Sequence, residues 1–294
     1  MAKEESVELS SSLGGQHEVE LSGGRIRYYD TGSGAPVVFV HGLLVNANLW
    51  RKMVPAIAAA GHRCLSPDWP LGAHRIPVPR ADLTPTGLAD MMAEFLAALD
   101  LDDVTIVAND TGGAITQVLL SRNRNRIGRV VLASVDCYER FLPPPFNMLP
   151  PVARIPGSLR PVTELLRIRA LHPLPIALGW VAKHPVPHDI IDTYLMPSRE
   201  SGAIRHDLRR FLKTANRKYT LAAAEHFPEI DLPVLLAWAR EDKLFPVRLP
   251  ERLVRELPNA TLKFIDDSYT ASPEDQPDLL TELILEFTRS HAKP

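Results

Sequence analysis

Hydrophobic residues follow two spacings that alternate along most of this 294-residue chain. Short unbroken apolar runs rich in β-branched residues predict strands buried on both faces, whereas apolar residues three and four positions apart predict helices. The predicted buried strands are 36–40, 62–66, 104–108, 129–134, 233–238 and 261–265. Helices are predicted near 50–60, 88–99, 113–120, 249–257 and 277–290. This alternation predicts an α/β fold with a mostly parallel sheet and right-handed crossover connections.

The first strands follow a different pattern. Residues 17–21 and 25–29 alternate apolar and polar side chains on either side of Ser22-Gly23-Gly24. A two-residue period interrupted by glycines predicts an antiparallel hairpin. The glycine-containing stretch that follows, 30–34, is predicted to be a loop.

The alternation of strands and helices stops between residues 137 and 218. This stretch is rich in proline and holds helical patterns such as 162–170 and 204–214. We therefore expect a helical cap at 137–218, inserted into a core domain that consists of 1–136 and 219–294.

Composition narrows the possible functions. The chain is 45% hydrophobic and 23% charged, with a net charge of −2, which is typical of a globular protein and gives no sign of nucleic acid or an anionic membrane as partner. Cys64 and Cys137 form neither a metal-ligand spacing nor a disulfide framework, so we expect no metal and no cofactor. The chain shows no apolar signal segment or membrane span, which predicts a cytoplasmic protein. We further expect a monomer or homodimer that acts on a small molecule.

One acidic residue stands where the apolar run 104–108 meets a helical pattern. The segment Ala108-Asn109-Asp110-Thr111-Gly112 has the layout of a nucleophile elbow, in which small residues flank a sharp turn that exposes one side chain. Here that side chain is the carboxylate of Asp110, which can attack an sp3 carbon or phosphorus or act as a base. The competing interpretation is that Asp110 only caps the helix.

Four segments in this order resemble the α/β-hydrolase superfamily, in its branch of haloalkane dehalogenases and epoxide hydrolases. They are His41-Gly42 with Trp50 nine residues on, Ser66-Pro67-Asp68, the Asp110 elbow, and the segment from Trp238 to Pro246. The resemblance covers roughly residues 17–290. It implies an eight-stranded, mostly parallel sheet flanked by helices, with an inserted helical cap.

The resemblance also implies roles for individual residues. In that branch an elbow Asp attacks carbon and forms an ester, and backbone N–H groups stabilise the charge that develops. Here the nucleophile is Asp110, and the amides are those of Leu43 and Thr111. A histidine oriented by an acid then activates water to cleave the ester, and Asp242 occupies the position of that acid.

The chain departs from the branch at the histidine. Counting back from Asp275 and Pro277 puts Thr270 in its place, and no histidine lies between His226 and His291. A threonine hydroxyl does not ionise near neutral pH and cannot serve as the general base. The hydrolytic triad is therefore expected to be incomplete.

Two further positions concern the substrate. Dehalogenases of this branch hold the leaving halide with a Trp after the nucleophile and an Asn after His-Gly, which here are Thr111 and Leu43. Epoxide opening needs tyrosines in the cap, where Tyr138 and Tyr194 fall.

Two other histidines could substitute for the missing base. His74 follows the strand closing at Asp68, and His206 lies on a cap helix; packing or surface roles are the alternatives for both.

Three functions stay open from the sequence. The first is a hydrolase in which a substitute base serves Asp110. The second is a lyase, isomerase or cyclase in which Asp110 exchanges protons, with Asp242 as a second carboxylate. The third is a protein that binds a small ligand without catalysis.

Overall fold

A computed structural model describes residues 9–166, 168–175 and 177–292. It contains one eight-stranded sheet in the order β1-β2-β4-β3-β5-β6-β7-β8. The strands are β1 (Gly15–Leu21), β2 (Gly24–Gly32), β3 (Ala35–Val40), β4 (His62–Pro67), β5 (Val104–Asp110), β6 (Ile127–Val135), β7 (Val234–Ala239) and β8 (Ala260–Ile265). Strands β1 and β2 pair antiparallel, as do β2 and β4, and all other pairs are parallel. The predicted sheet and hairpin are confirmed.

Helices cover both faces of this sheet. In chain order they are α1 (Val54–Ala59), α2 (Pro85–Ala98), α3 (Thr111–Arg122), α4 (Leu149–Arg154), α5 (Leu159–Leu165), α6 (His188–Glu200), α7 (Gly202–Thr214), α8 (Lys218–Ala224), α9 (Arg248–Glu256), α10 (Ser272–Asp275) and α11 (Pro277–Ser290). Short 3₁₀ turns occur as well, the first of them at Ser11–Leu13.

Alternation along β3 explains why the sheet needs helices on both sides. Val38 and Val40 pack into a core with α2 and α3, while Val37 and Phe39 point the other way, into a core with α1 and α11. Each fully buried side chain of this kind contributes about 1.5–3 kcal/mol by leaving water. The middle residues of the central strands are therefore largely apolar, and most of their polar residues lie toward the strand ends.

The predicted loop at 30–34 is wrong in part, because β2 continues to Gly32. Asp30, Thr31 and Gly32 pair with β4. The carboxylate of Asp30 also accepts hydrogen bonds from the Arg63 guanidinium at 2.6–3.2 Å. The long-range strand pairing outweighs the local turn signal of the two glycines.

Residues 137–218, called the helical insertion below, contribute helices and turns and no sheet strand among the residues that the structure describes. The helix predicted at 162–170 lies earlier, at Leu159–Leu165, and α6 was not predicted. Pro187 precedes α6 and Pro197 lies inside it, so the sequence suggests turns. The helix is stabilised instead by burying Ile191, Tyr194 and Leu195 on one face. The division into core and cap at residues 137 and 218 stays a prediction.

None of the helices in the described part of the chain is long and apolar enough to cross a membrane.

Candidate active site

The elbow predicted around Asp110 is a sharp turn at the carboxyl end of β5. Asp110 has φ 53° and ψ −131°, in the left-handed half of backbone space, and α3 begins at Thr111. A non-glycine residue in this conformation is strained, and such strain is found at functional sites. A Cβ on Gly112 would overlap the carbonyl oxygens of Val40 and His41. The turn therefore needs a glycine there and presents the Asp110 side chain at the edge of the sheet.

Backbone amides hold the Asp110 carboxylate in place. The N–H of Leu43 donates to Asp110 Oδ2 at 3.2 Å, and the N–H of Thr111 also bonds to this carboxylate. A Cβ on Gly42 would overlap the carboxylate, so glycine is required for this approach. His41 shapes the same turn by accepting the Trp69 N–H on Nε2 at 2.9 Å. The structure thus brings Asp110, Leu43 and Thr111 together.

The surroundings of Asp110 change its acidity. Burial raises the pKa of Asp110 to about 6, although the Thr111 and Leu43 hydrogen bonds act to lower it. A carboxylate of this pKa is ionised at neutral pH and basic enough to accept a proton from a bound molecule.

Thr270, which the sequence analysis expected at the histidine position, is hydrogen-bonded to Asp242. The Thr270 hydroxyl donates to Asp242 Oδ1 at 2.9 Å, and the amides of Leu244 and Phe245 donate to the same oxygen at 2.8 Å. Asp242 Oδ2 is buried without a hydrogen-bond partner among the described residues. Burial raises the pKa of Asp242 to about 6. Among the described residues, a hydroxyl and two backbone amides therefore donate to the Asp242 carboxylate.

Asn109 ties the elbow to this loop. Its side-chain amide donates to the carbonyl oxygens of Thr270 at 2.7 Å and of Ala133 at 2.6 Å. The residue next to Asp110 is thus bonded to both neighbouring segments, which fixes the elbow against the loop after β8.

Asp136 is a third carboxylate that was not predicted. It directly follows β6 and is fully buried. The Thr111 hydroxyl oxygen lies 2.9 Å from Asp136 Oδ2, at hydrogen-bond distance, and Oδ1 has no partner among the described residues. Burial and the negative charge of Asp110 raise the pKa of Asp136 well above its usual range. Asp136 could have been found from the sequence because it follows a predicted buried strand, and parallel strands end at the same edge of the sheet as Asp110.

A cavity of about 900 Å³, counting the space at its open mouth, lies over Asp110. Its wall is mostly apolar; Asp110 is the only acidic group and His172 the only histidine among the described residues that line it. Representative wall residues from the core and the helical insertion are Leu43, Leu49, Leu142, Phe146, Leu178, Ile191, Leu195 and Leu244. Such a cavity suits a small, neutral and largely apolar molecule.

The two predicted substitute bases lie elsewhere. His74 is buried against α7, with Nε2 3.4 Å from Asp207 Oδ2 and Nδ1 accepting the Gly72 N–H at 3.4 Å. His206 is exposed on α7. Neither is among the residues that line the cavity. The structure does not bring His74 or His206 to Asp110.

His172 lines the cavity and was not predicted. Its Nε2 donates to the Leu166 carbonyl at 2.7 Å, which leaves Nδ1 as the acceptor nitrogen, buried and without a partner among the described residues. Nothing in the proline-rich sequence around it marks it, because the helical insertion shows no periodicity there.

The two cap tyrosines donate to glutamates: Tyr138 to Glu256 at 2.7 Å and Tyr194 to Glu274 at 3.1 Å.

The described residues contain no group of three or more His, Cys, Asp or Glu side chains arranged to hold a metal ion.

Known proteins share this architecture. A sequence profile described as alpha/beta hydrolase fold matches residues 35–163. A haloalkane dehalogenase from Psychrobacter cryohalolentis is 38% identical over 109 residues, which span 36% of this chain and 36% of that protein. The crystal structure of the haloalkane dehalogenase DatA from Agrobacterium tumefaciens C58 superposes with a TM-score of 0.81 at 22% identity, covering 96% of this chain and 100% of DatA. The epoxide hydrolase CorEH superposes with a TM-score of 0.78 at 19% identity, over 94% and 99% of the two chains.

These similarities establish the fold of the chain, which is that of the α/β hydrolases, and place haloalkane dehalogenases among the proteins it resembles in sequence. The chain spans about a third of the Psychrobacter relative, at 36% of its length.

Proposed function

We propose that this chain is an enzyme that acts on a small, neutral, largely apolar organic molecule, with Asp110 as a general acid and base. The reaction class is that of a lyase, isomerase or cyclase. Asp110 takes a proton from one atom of the substrate and returns it to another, while hydrogen-bond donors stabilise the enolate or alkoxide formed in between.

The observation that carries this proposal is the hydrogen bond from Thr270 to Asp242 at 2.9 Å. An ester on Asp110 would need a base to activate water, and a threonine hydroxyl cannot take up that proton. If Asp110 were only a nucleophile, one turnover would leave it alkylated. Proton transfer by Asp110 needs no such second step.

Two features support Asp110 as the proton-transferring group. The mostly apolar wall of the cavity keeps water from the carboxylate and raises the pKa of Asp110 to about 6, within the range useful to a general base near neutral pH. The Leu43 and Thr111 amides also fix the direction of its lone pairs. A bound substrate therefore meets an oriented and activated carboxylate.

Deuterium exchange tests this proposal without knowledge of the natural substrate. Cyclohexanone and acetophenone are neutral, fit an apolar cavity and carry weakly acidic C–H groups. We expect the enzyme in D₂O to exchange these protons, and Asp110→Asn, which keeps the shape of the side chain, to lose the exchange. Equal exchange rates for the enzyme and for Asp110→Asn, after subtraction of the buffer rate, would contradict the proposal.

His172 favours a second candidate, a hydrolase with Asp110 as nucleophile. Its unpartnered Nδ1 is the one imidazole nitrogen in the described cavity wall that could accept a proton from water. Haloalkane dehalogenase and epoxide hydrolase relatives make 1-bromohexane and 1,2-epoxyhexane suitable probes. This candidate predicts many turnovers of one probe, lost in Asp110→Asn and slowed in His172→Gln.

Intact mass separates the two candidates. If Asp110 attacks carbon and no base cleaves the ester, the enzyme gains the mass of one alkyl group and Asp110→Asn does not. That result would make Asp110 a nucleophile and refute its assignment as a base. Many turnovers with loss in His172→Gln would establish the hydrolase instead. An unchanged mass together with Asp110-dependent proton exchange supports the proposed function.

A further inference from the structure

The buried carboxyl group of Asp136 has no part in the chemistry proposed so far. It is fully buried and contacts the site through Thr111, whose hydroxyl lies 2.9 Å from Asp136 Oδ2. Thr111 lines the cavity and also bonds to Asp110, through its amide and its side chain. The Thr111 hydroxyl therefore lies between a hidden carboxyl group and the reactive one.

A threonine hydroxyl has one proton and can donate only one hydrogen bond at a time. When Asp136 is ionised, that proton points to Asp136 and away from the cavity. When Asp136 is neutral, its own O–H can donate to Thr111 Oγ1, and the Thr111 proton can turn toward Asp110 and the cavity. The protonation state of Asp136 thus decides where Thr111 donates.

The environment of Asp136 favours its neutral form. One carboxyl oxygen, Oδ1, is buried with no partner among the described residues, and an ionised oxygen would be costly there. The side chain of Gln117 bonds to the backbone carbonyl of Asp136 at 2.7 Å. The charged groups that act on Asp136 are Asp110 and Asp242, and the thiol of Cys137 is its chain neighbour. Burial, and after it the negative charges of Asp110 and Asp242, raise the pKa of Asp136.

We propose that Asp136 is a positioning residue that stays protonated during turnover and turns the Thr111 hydroxyl toward an oxygen atom of the substrate. The inference rests on the proposed function, because it supplies a donor for the enolate or alkoxide formed beside Asp110. The Leu43 amide, already bonded to Asp110, is engaged elsewhere. No proton leaves Asp136 in this scheme: the substrate proton moves to Asp110 and back, and Thr111 only redirects a hydrogen bond.

Carbon-13 NMR of carboxyl-labelled aspartates tests the state of Asp136 without any substrate. Asp136→Asn and Asp110→Asn assign the two signals by their absence. We expect the Asp136 signal to keep the chemical shift of a neutral carboxyl group through pH 7, while the Asp110 signal titrates near pH 6. An Asp136 signal at the ionised position at pH 7 would overturn the inference. Because this measurement needs no activity, it decides the inference even if the proposed function fails.

Exchange of cyclohexanone protons then tests the role of the redirected hydroxyl. Thr111→Val removes the donor and is expected to slow exchange about 10- to 100-fold, the range for losing a hydrogen bond to a charged group. Thr111→Ser restores the hydroxyl and should recover most of the rate. Asp136→Asn keeps an N–H that can donate to Thr111 and should recover most of what Asp136→Leu loses. If Asp136→Asn is as slow as Asp136→Leu, Asp136 acts as an anion and the inference is wrong.

Discussion

Two regions at the same edge of the sheet use their polar groups differently. The elbow region, consisting of Leu43, Asp110 and Thr111, directs two backbone amides at one carboxylate. The anchor loop, residues 270–275, bonds both to the core, where Thr270 donates to Asp242, and to the helical insertion. The N–H of Ala271 donates to the Val181 carbonyl at 2.7 Å.

The two acidic residues of the anchor loop are the strongest part of this attachment. The carboxylate of Asp275 accepts the amides of Lys183 and His184 at 2.9–3.0 Å. Glu274 is buried, pairs with the Arg51 guanidinium at 2.5 and 2.8 Å, and accepts the Tyr194 hydroxyl at 3.1 Å. The anchor loop is thereby bonded to the helical insertion, which roofs the cavity, and also to Arg51 of the core.

The two regions fix their polar groups in different ways. The elbow depends on close backbone approach, with glycines at 42 and 112 where a Cβ would clash. The anchor loop depends on side-chain pairs with distant segments. We therefore expect substitutions in the anchor loop to affect stability more than they affect the orientation of the Asp110 carboxylate.

Replacing Asp110, in the elbow region, should give the largest effect on the rate of proton exchange. Asp110→Asn is expected to lower the rate of Asp110-dependent proton exchange about 10²–10⁴-fold, the range for removing a general base. Its free energy of unfolding at neutral pH should not fall, since the variant removes a partly buried charge. Deuterium incorporation by NMR and urea unfolding measure the two effects. A variant that loses exchange only because it is unfolded would not support the account.

Breaking the Arg51–Glu274 pair should mainly destabilise the protein. Glu274→Gln leaves the Arg51 charge, whose side chain is 9% exposed, without its counter-ion. We expect the free energy of unfolding to fall by about 3–5 kcal/mol, as for other buried pairs that lose one partner. Glu18→Gln, in a pair exposed at the surface, is the control and should change it by less than about 1 kcal/mol. Equal effects of the two substitutions would show that the buried Arg51–Glu274 pair contributes no more to stability than a surface pair.

Asp242 should make stability depend on pH. Because the pKa of Asp242 is raised from 3.8 to about 6, its contribution is fully present below about pH 4 and is lost as pH rises through 6. Between pH 4.5 and 7.5 the loss is about 2 kcal/mol, since one unit of pKa corresponds to about 1.4 kcal/mol. Asp242→Asn should remove that part of the pH dependence in urea unfolding, whereas the exposed Asp266→Asn should not. An unchanged pH dependence in Asp242→Asn would contradict the raised pKa.

The smallest effect is expected at Thr270. Thr270→Val removes one hydrogen bond to Asp242 and should lower the free energy of unfolding by about 1 kcal/mol. Proton exchange should fall far less than in Asp110→Asn, because the elbow keeps its amides. A loss as large as that of Asp110→Asn would mean that the two regions are coupled.

The parts of the molecule that the sequence predicted are those fixed by local pattern. β-Branched runs marked the parallel strands, and small residues around Asp110 marked the elbow. The turn at residues 41–43 was predicted from the His41-Gly42 pair at the end of a strand. These features need little information from elsewhere in the chain.

The parts that escaped prediction depend on contacts between distant residues. His74 lies after a strand at the right edge of the sheet, but it is paired with Asp207, 133 positions away. On α7, His206 is exposed and its neighbour Asp207 is buried. The sequence of this helix does not show which of the two polar residues faces the core. His172 and α6 reach the cavity only because the helical insertion folds over the sheet.

The pH profile of proton exchange in cyclohexanone tests the central claim most directly. Only ionised Asp110 can accept a proton, so the account predicts an exchange rate that rises with pH, is half-maximal near pH 6, and then levels off. Asp110→Asn should show no such rise. A rate that falls through pH 6, or a rise that persists in Asp110→Asn, would show that another group carries the reaction.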